Sequence, residues 1–137
     1  MATLTEFVEA QRDSWPAART ELASGMKQSH WIWWIFPQIE TLGRSPRARH
    51  FGLHDLDEAA AYLRHPVLGP RLVEAAELLL SHDNTDPEAI LGPVDALKVR
   101  SCMTLFEAIP GAPAVFSEVL DRMYSGIRCQ HSLKTLR

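Results

Sequence analysis

Five basic residues, Lys27, Arg44, Arg71, Lys98 and Arg100, each stand among groups that suit an anion. Lys27 opens the stretch KQSHWIWWIFPQ (27–38), where Ser29, His30 and Gln38 flank Trp31, Trp33 and Trp34. Arg44 lies in LGRSP (42–46), beside a predicted helix start whose free N–H groups and dipole attract negative charge. Arg71 follows Gly69 and Pro70 in HPVLGPRL (65–72), and Lys98, Arg100, Ser101 and Thr104 form a basic, hydroxyl-bearing patch further on. Such groups suit phosphate or carboxylate oxygens, with arginine offering a bidentate fork. A histidine moves protons near neutral pH, and His30 is the first candidate for that work.

Each of these residues also has a plainer reading. In the helix predicted from Pro93, Val94, Val99, Cys102, Met103, Leu105 and Phe106 define an apolar arc, into which Asp95 and Lys98 project. A charged pair aimed at an apolar face is costly unless satisfied. It is also readable as an i,i+3 surface pair. Arg100 reads equally as a solvated residue, His30 as a hydrogen-bonded core neighbour and His65 as a helix cap. Tight turns account for Gly43 and Gly69 without a ligand.

Residues 31–36 are apolar at every position, so neither helical nor strand periodicity leaves a wet face. The expectation is a core helix of about two to three turns ending before Pro37. Buried indoles need partners for their N–H groups. Aromatic walls with a few polar groups are also the usual make-up of a small-molecule pocket. Both readings hold together if one indole face packs inward and another faces a ligand. An interfacial membrane helix would carry a basic polar face, which this segment lacks.

The stronger catalytic signatures are absent: there is no G-x-S-x-G, P-loop or dinucleotide fingerprint. His50, His54, His82 and His131 show no ligand spacing, so no metal and no cofactor is expected. A formal charge of −3 with scattered basic residues gives no electrostatic footprint for nucleic acid. Two cysteines are not a disulfide scaffold, and Cys102 among Met103, Leu105 and Phe106 reads as a reduced core thiol. No secretion signal opens the chain, and no apolar run approaches a membrane span. A cytoplasmic protein is expected.

The elements that must position these residues are helical. Leu and Ala together number 33 against 13 for Val and Ile, which favours helix over sheet. Caps recur at helix-length intervals. Thr5 is expected to cap a short helix through Arg12, and Ser14 a second with Pro16 in its first turn and Gly25 past its end. Ser45-Pro46, Asp55 with Glu58, His65-Pro66 and Asp86-Pro87 start later helices. Pro93 to Ala108 and Ala112 to Tyr124 read as the last two substantial ones. At 137 residues, the expectation is one compact, orthogonal all-α domain of six to eight helices, several short.

In this order and spacing, KQSHWIWWIFPQ, LGRSP, HPVLGPRL and DALKVRSCMTLF resemble a small bacterial family catalogued as a domain of unknown function. The similarity runs from about Phe7 to Leu136. The family is sometimes labelled calpastatin, a label to discount because nothing here looks like an extended protease inhibitor. The resemblance implies a mainly helical fold and no mechanism. Family members carry a glycine-rich turn and an Asp–Thr–Leu pattern near the C-terminus. This tail, YSGIRCQHSLKTLR, has one glycine in that turn and a lysine before Thr135. Proteins that process ADP-ribose also place Lys, Trp and a Gly–Arg pair near their ligand, which makes ADP-ribose a compound to test.

The leading expectation is a pocket for a small anionic, nucleotide-like ligand. Lys27, Ser29, Gln38, Arg44, Arg71, Lys98, Arg100 and Ser101 would be its contacts, and Trp31 or Trp33 would stack on a base or sugar. Any reaction would be hydrolysis or group transfer at a phosphate- or ribose-linked bond. It requires that the five basic residues converge. The competing expectation is a non-catalytic module that binds a protein partner and whose tryptophans are purely structural.

Overall fold

The computed structural model describes residues 2–136. Its first helix, α1 (Leu4–Ser24), is one continuous element where two were expected. The start is a capping box on Thr3 and Glu6, and Gly25 closes the end in the left-handed conformation at φ 79°. Pro16 sits inside the helix and cannot donate to the preceding turn. The helix runs through it because Phe7, Gln11, Ala18 and Leu22 are buried as one stripe on both sides of the proline. Ser14 does not cap; its hydroxyl donates to the carbonyl of Ala10 at 2.8 Å.

The aromatic segment is also shorter than its composition suggested. Only α2 (Ile32–Ile35), a single turn, is helical. Ahead of it residues 26–31 are not helical, and their backbone is fastened to distant parts of the chain. Lys27 donates to the carbonyl of Ile90 at 2.8 Å. Gln28 and Ser29 both donate to the Glu21 carboxylate. Past Pro37, an isolated parallel bridge pairs Ile39 with Leu53 and closes a loop containing a 3-10 turn (Glu40–Leu42) and α3 (Pro46–His50). Glycine is required at position 52, where a Cβ would collide with the Cα of Glu40.

The remaining helices are α4 (Leu56–Arg64), α5 (Leu68–Leu80), α6 (Pro87–Leu91), α7 (Pro93–Glu107), α8 (Val115–Met123) and α9 (Gln130–Thr135). Ser45, Asp55 and Asp86 cap α3, α4 and α6 as expected. His65 Nδ1 accepts from the N–H groups of Val67 and Leu68 ahead of α5. Among the described residues, then, the fold is all-α, with nine helices and no strand. Fusion at Pro16 removes one expected helix, while α9 adds one that the tail did not announce.

The core is a single cluster with α7 at its centre, packed on α4, α6, α8 and α9. An aromatic file runs through it from Phe51 to Phe7, Tyr62, Phe106 and Phe116, with successive centroids 5.2–5.8 Å apart. The expected division of α7 into a wet and a dry arc fails at both ends. Ser101 and Thr104 are buried, whereas Val94, assigned to the apolar arc, is 63% exposed.

Candidate functional site

Glu21 organises the loop that leads into the tryptophans. Its Oε1 accepts from the backbone N–H of Gln28 at 2.6 Å, that of Ser29 at 2.7 Å and the indole of Trp31 at 3.1 Å. Its Oε2 accepts from the Ser29 hydroxyl at 2.7 Å. Burial would push this carboxyl up, but the Ser29 hydroxyl, the two backbone N–H groups and the indole outweigh it, holding Glu21 down to about 2. Ser29 and Trp31 are thereby fastened to protein. Trp31 is fully buried and presents no face to a ligand.

Trp34 is held in a similar way. Its indole donates to the Ser14 hydroxyl at 2.7 Å, and its carbonyl accepts from Gln11 and Tyr62. Trp33 differs, for its buried indole N–H has no partner. Two cations lie near its ring, the guanidinium of Arg47 at 5.0 Å and the ammonium of Lys98 at 5.3 Å from the centroid.

Asp95, the acid that looked misplaced on α7, lies between two lysines. Lys27 Nζ approaches Oδ2 at 3.0 Å and Lys98 Nζ approaches Oδ1 at 3.7 Å. Lys27 also donates to the carbonyl of Ser29 and is 8% exposed. Its charge is therefore spent inside the protein. Lys98 is further from the shared acid and also lines a cavity.

That cavity, of about 560 Å³, lies among the 3-10 turn, α3 and the first turns of α7. Gln38, Arg44, Ser45, Lys98 and Ser101 supply its polar groups; Leu42, Ala48, Val94 and Leu97 supply aliphatic surface. Close packing of Gly43 on the backbone of Ala48 and Arg49 holds Arg44 and Ser45 at its edge. Among the described residues, Arg44 and Arg47 have no carboxylate partner. The Ser45 hydroxyl caps α3, and the Ser101 hydroxyl faces the carbonyl of Leu97 at 3.1 Å and Cys129 Sγ at 3.3 Å.

Four of the sequence-predicted residues therefore line one cavity, Gln38, Arg44, Lys98 and Ser101, and a fifth, Trp33, lies outside its lining with its ring 5.3 Å from the Lys98 ammonium. The other six do not. Besides Lys27, Ser29 and Trp31, Arg71 reaches Gln11 at 3.4 Å and lies near Trp15. Arg100 lines a separate cavity with Asp86, Glu88, Arg122 and Tyr124. His30 is exposed and outside both cavities. The expected convergence of all five cations is corrected to Arg44 and Lys98, because α7 turns Arg100 away from Lys98.

Sequence reasoning missed Glu21, whose partners lie seven to ten residues on, and Arg47, in α3 three residues past Arg44. Among the described residues, no group of three or more His, Cys, Asp or Glu is disposed to hold a metal ion. No helix among the described residues is long and apolar enough to cross a membrane.

Fold and site together define a compact helical protein with a part-basic, part-aliphatic surface cavity. The chain belongs to the family of proteins of unknown function DUF1810, which it matches over residues 1–136. It is similar to a solved structure, the conserved hypothetical protein Rv1873 from Mycobacterium tuberculosis, at 40% identity and a TM-score of 0.95. That likeness covers 97% of this chain and 95% of the other. No curated protein matches the chain.

Proposed function

We propose that the protein binds a small organic anion in the cavity among the 3-10 turn, α3 and α7, with Arg44 and Lys98 as its charge contacts. One observation carries this reading: two cations share a ligand-sized cavity whose lining holds no carboxylate, and Asp95, which Lys98 approaches at 3.7 Å, is closer to Lys27 at 3.0 Å. Arg47 adds a third positive charge beside the Trp33 ring, near Lys98. Gln38 is available in its lining as a neutral hydrogen-bonding group. The proposal is for binding; His30 lies outside the cavity, so no residue is assigned to proton transfer.

Thermal unfolding against nucleotides, NAD, ADP-ribose, sugar phosphates and simple organic acids tests the reading. A ligand at a hundred times its dissociation constant adds about 2.7 kcal/mol. A shift with any such anion, lost in Arg44→Gln, supports the proposal.

The competing reading is a non-catalytic interaction module. It is favoured by the Glu21 and Asp95 clusters, whose polar groups fasten the tryptophan segment to α1 and α7. It predicts no shift with any compound, and retention of a protein partner in a pull-down that Val94→Asp abolishes.

A further inference from the structure

We infer that the ligand of this cavity is an aliphatic anion, a carboxylate or phosphate head joined to an alkyl chain, and not a nucleotide. The inference rests on the anion-binding reading above and names the ligand class. Recognition of a base requires a flat π-face or an edge of matched donors and acceptors. The cavity lining offers no flat aromatic face. Trp31 is enclosed, and the four apolar wall residues, Leu42, Ala48, Val94 and Leu97, are all aliphatic.

The exposure of two of these residues points the same way. Val94 is 63% exposed and Leu97 53%, in the first turns of a helix whose later turns are buried. They are two of the four large hydrophobic side chains left exposed among the described residues, and both border this cavity, Leu97 also bordering that of Arg100. Spaced i,i+3, they lie side by side on α7. Lys98 follows Leu97 directly, and Arg44 faces the same space. An alkyl chain laid along Val94 and Leu97 would lose water from both surfaces, with its charged end within reach of the cations. The order of groups, cations beside an aliphatic wall, matches an amphiphile with a single anionic end.

Isothermal titration of the full chain with acetate, butyrate, octanoate, inorganic phosphate, octyl phosphate and AMP tests the inference. Each added methylene should tighten binding by about two- to fourfold, the upper end being full burial. Leu97→Ser and Val94→Ser, both at exposed positions, should flatten this dependence on chain length while weak binding of the head group persists. Arg44→Gln should weaken every anion. Binding of AMP with no gain from acetate to octanoate overturns the inference but leaves the anion-binding reading standing. A chain-length gain unaffected by both serine variants also overturns it, because the chain then lies elsewhere. Failure of every compound to bind overturns both.

Discussion

Lys27 Nζ stands 3.0 Å from Asp95 Oδ2, a largely buried ion pair that joins the start of the tryptophan segment to the first turn of α7. The same lysine donates to the carbonyl of Ser29 and lies 4.9 Å from the Trp31 ring centroid. Lysine as a ligand contact and lysine as an internal fastener make opposite demands on exposure. At 8% exposed, this one is a fastener.

Lys27→Ala is therefore expected to destabilise the protein by about 2–4 kcal/mol, since removal of one partner strands the other's charge. The cost sits below that of a fully buried pair because Asp95 keeps a second, longer contact with Lys98. Lys27→Met combined with Asp95→Leu removes both charges and should recover much of the loss. Denaturant unfolding measures each variant. A change below about 0.5 kcal/mol for Lys27→Ala would return the residue to the list of free cations.

Glu21 predicts an acid-sensitive loop. Its carboxyl is held down to about 2 from an ordinary 4.5, so the folded state favours the charged form. The resulting stability is present in full above about pH 4.5 and is lost as pH falls from there towards 2. With each unit worth 1.36 kcal/mol, the contribution is on the order of 2–3 kcal/mol. Glu21→Gln should lose that amount at pH 7, and the gap from wild type should close towards pH 2. Parallel stability curves across that range would show that the four donors do not depend on the charge. Glu6 and Glu107 are also held low, by His50 and by Arg128 with Ser117, so only the difference between the two proteins isolates Glu21.

How much of this was legible in the sequence follows the range of the forces. Ser45, Asp55 and Asp86 were readable as caps because a cap bonds its own helix within three residues. Pro16 misled because its local signal for a helix start was overridden by the buried stripe of α1. The tryptophan segment read as a long helix because its apolar pattern was visible and the long-range claims on its N–H groups were not. Glu21 and the carbonyl of Ile90 hold the backbone of residues 27–29 in a non-helical course. For the same reason, the charges of Arg44 and Lys98 were visible but not their convergence. It depends on the Ile39–Leu53 bridge and the packing of Gly43 on α3, both tertiary.

Arg44 should behave oppositely to Lys27. Its side chain is exposed and has no carboxylate partner among the described residues, so Arg44→Gln should alter stability by less than about 0.5 kcal/mol. Binding of an anion should fall at the same time, and the wild-type affinity should decline with added salt as the exposed charge is screened. Thermal unfolding with and without ligand, in low and high chloride, measures both. A large loss of stability in Arg44→Gln would mean that the residue holds the loop before α3 together.

The tail offers a test of backbone strain. Ser125 adopts a φ of 54° beside Gly126 at 75°. The left-handed conformation costs a residue with a Cβ roughly 1–2 kcal/mol, and glycine avoids it. Glycine also gives the unfolded chain more freedom, which cancels about 0.5–1 kcal/mol of the gain. Ser125→Gly should therefore raise stability by about 0.5 kcal/mol, a degree or two in Tm. Ser125→Val should lower it, because a β-branched side chain tolerates positive φ least. The order Gly, Ser, Val in Tm tests the strain itself. A decrease with glycine would mean that the serine side chain repays its backbone cost through contacts in the turn.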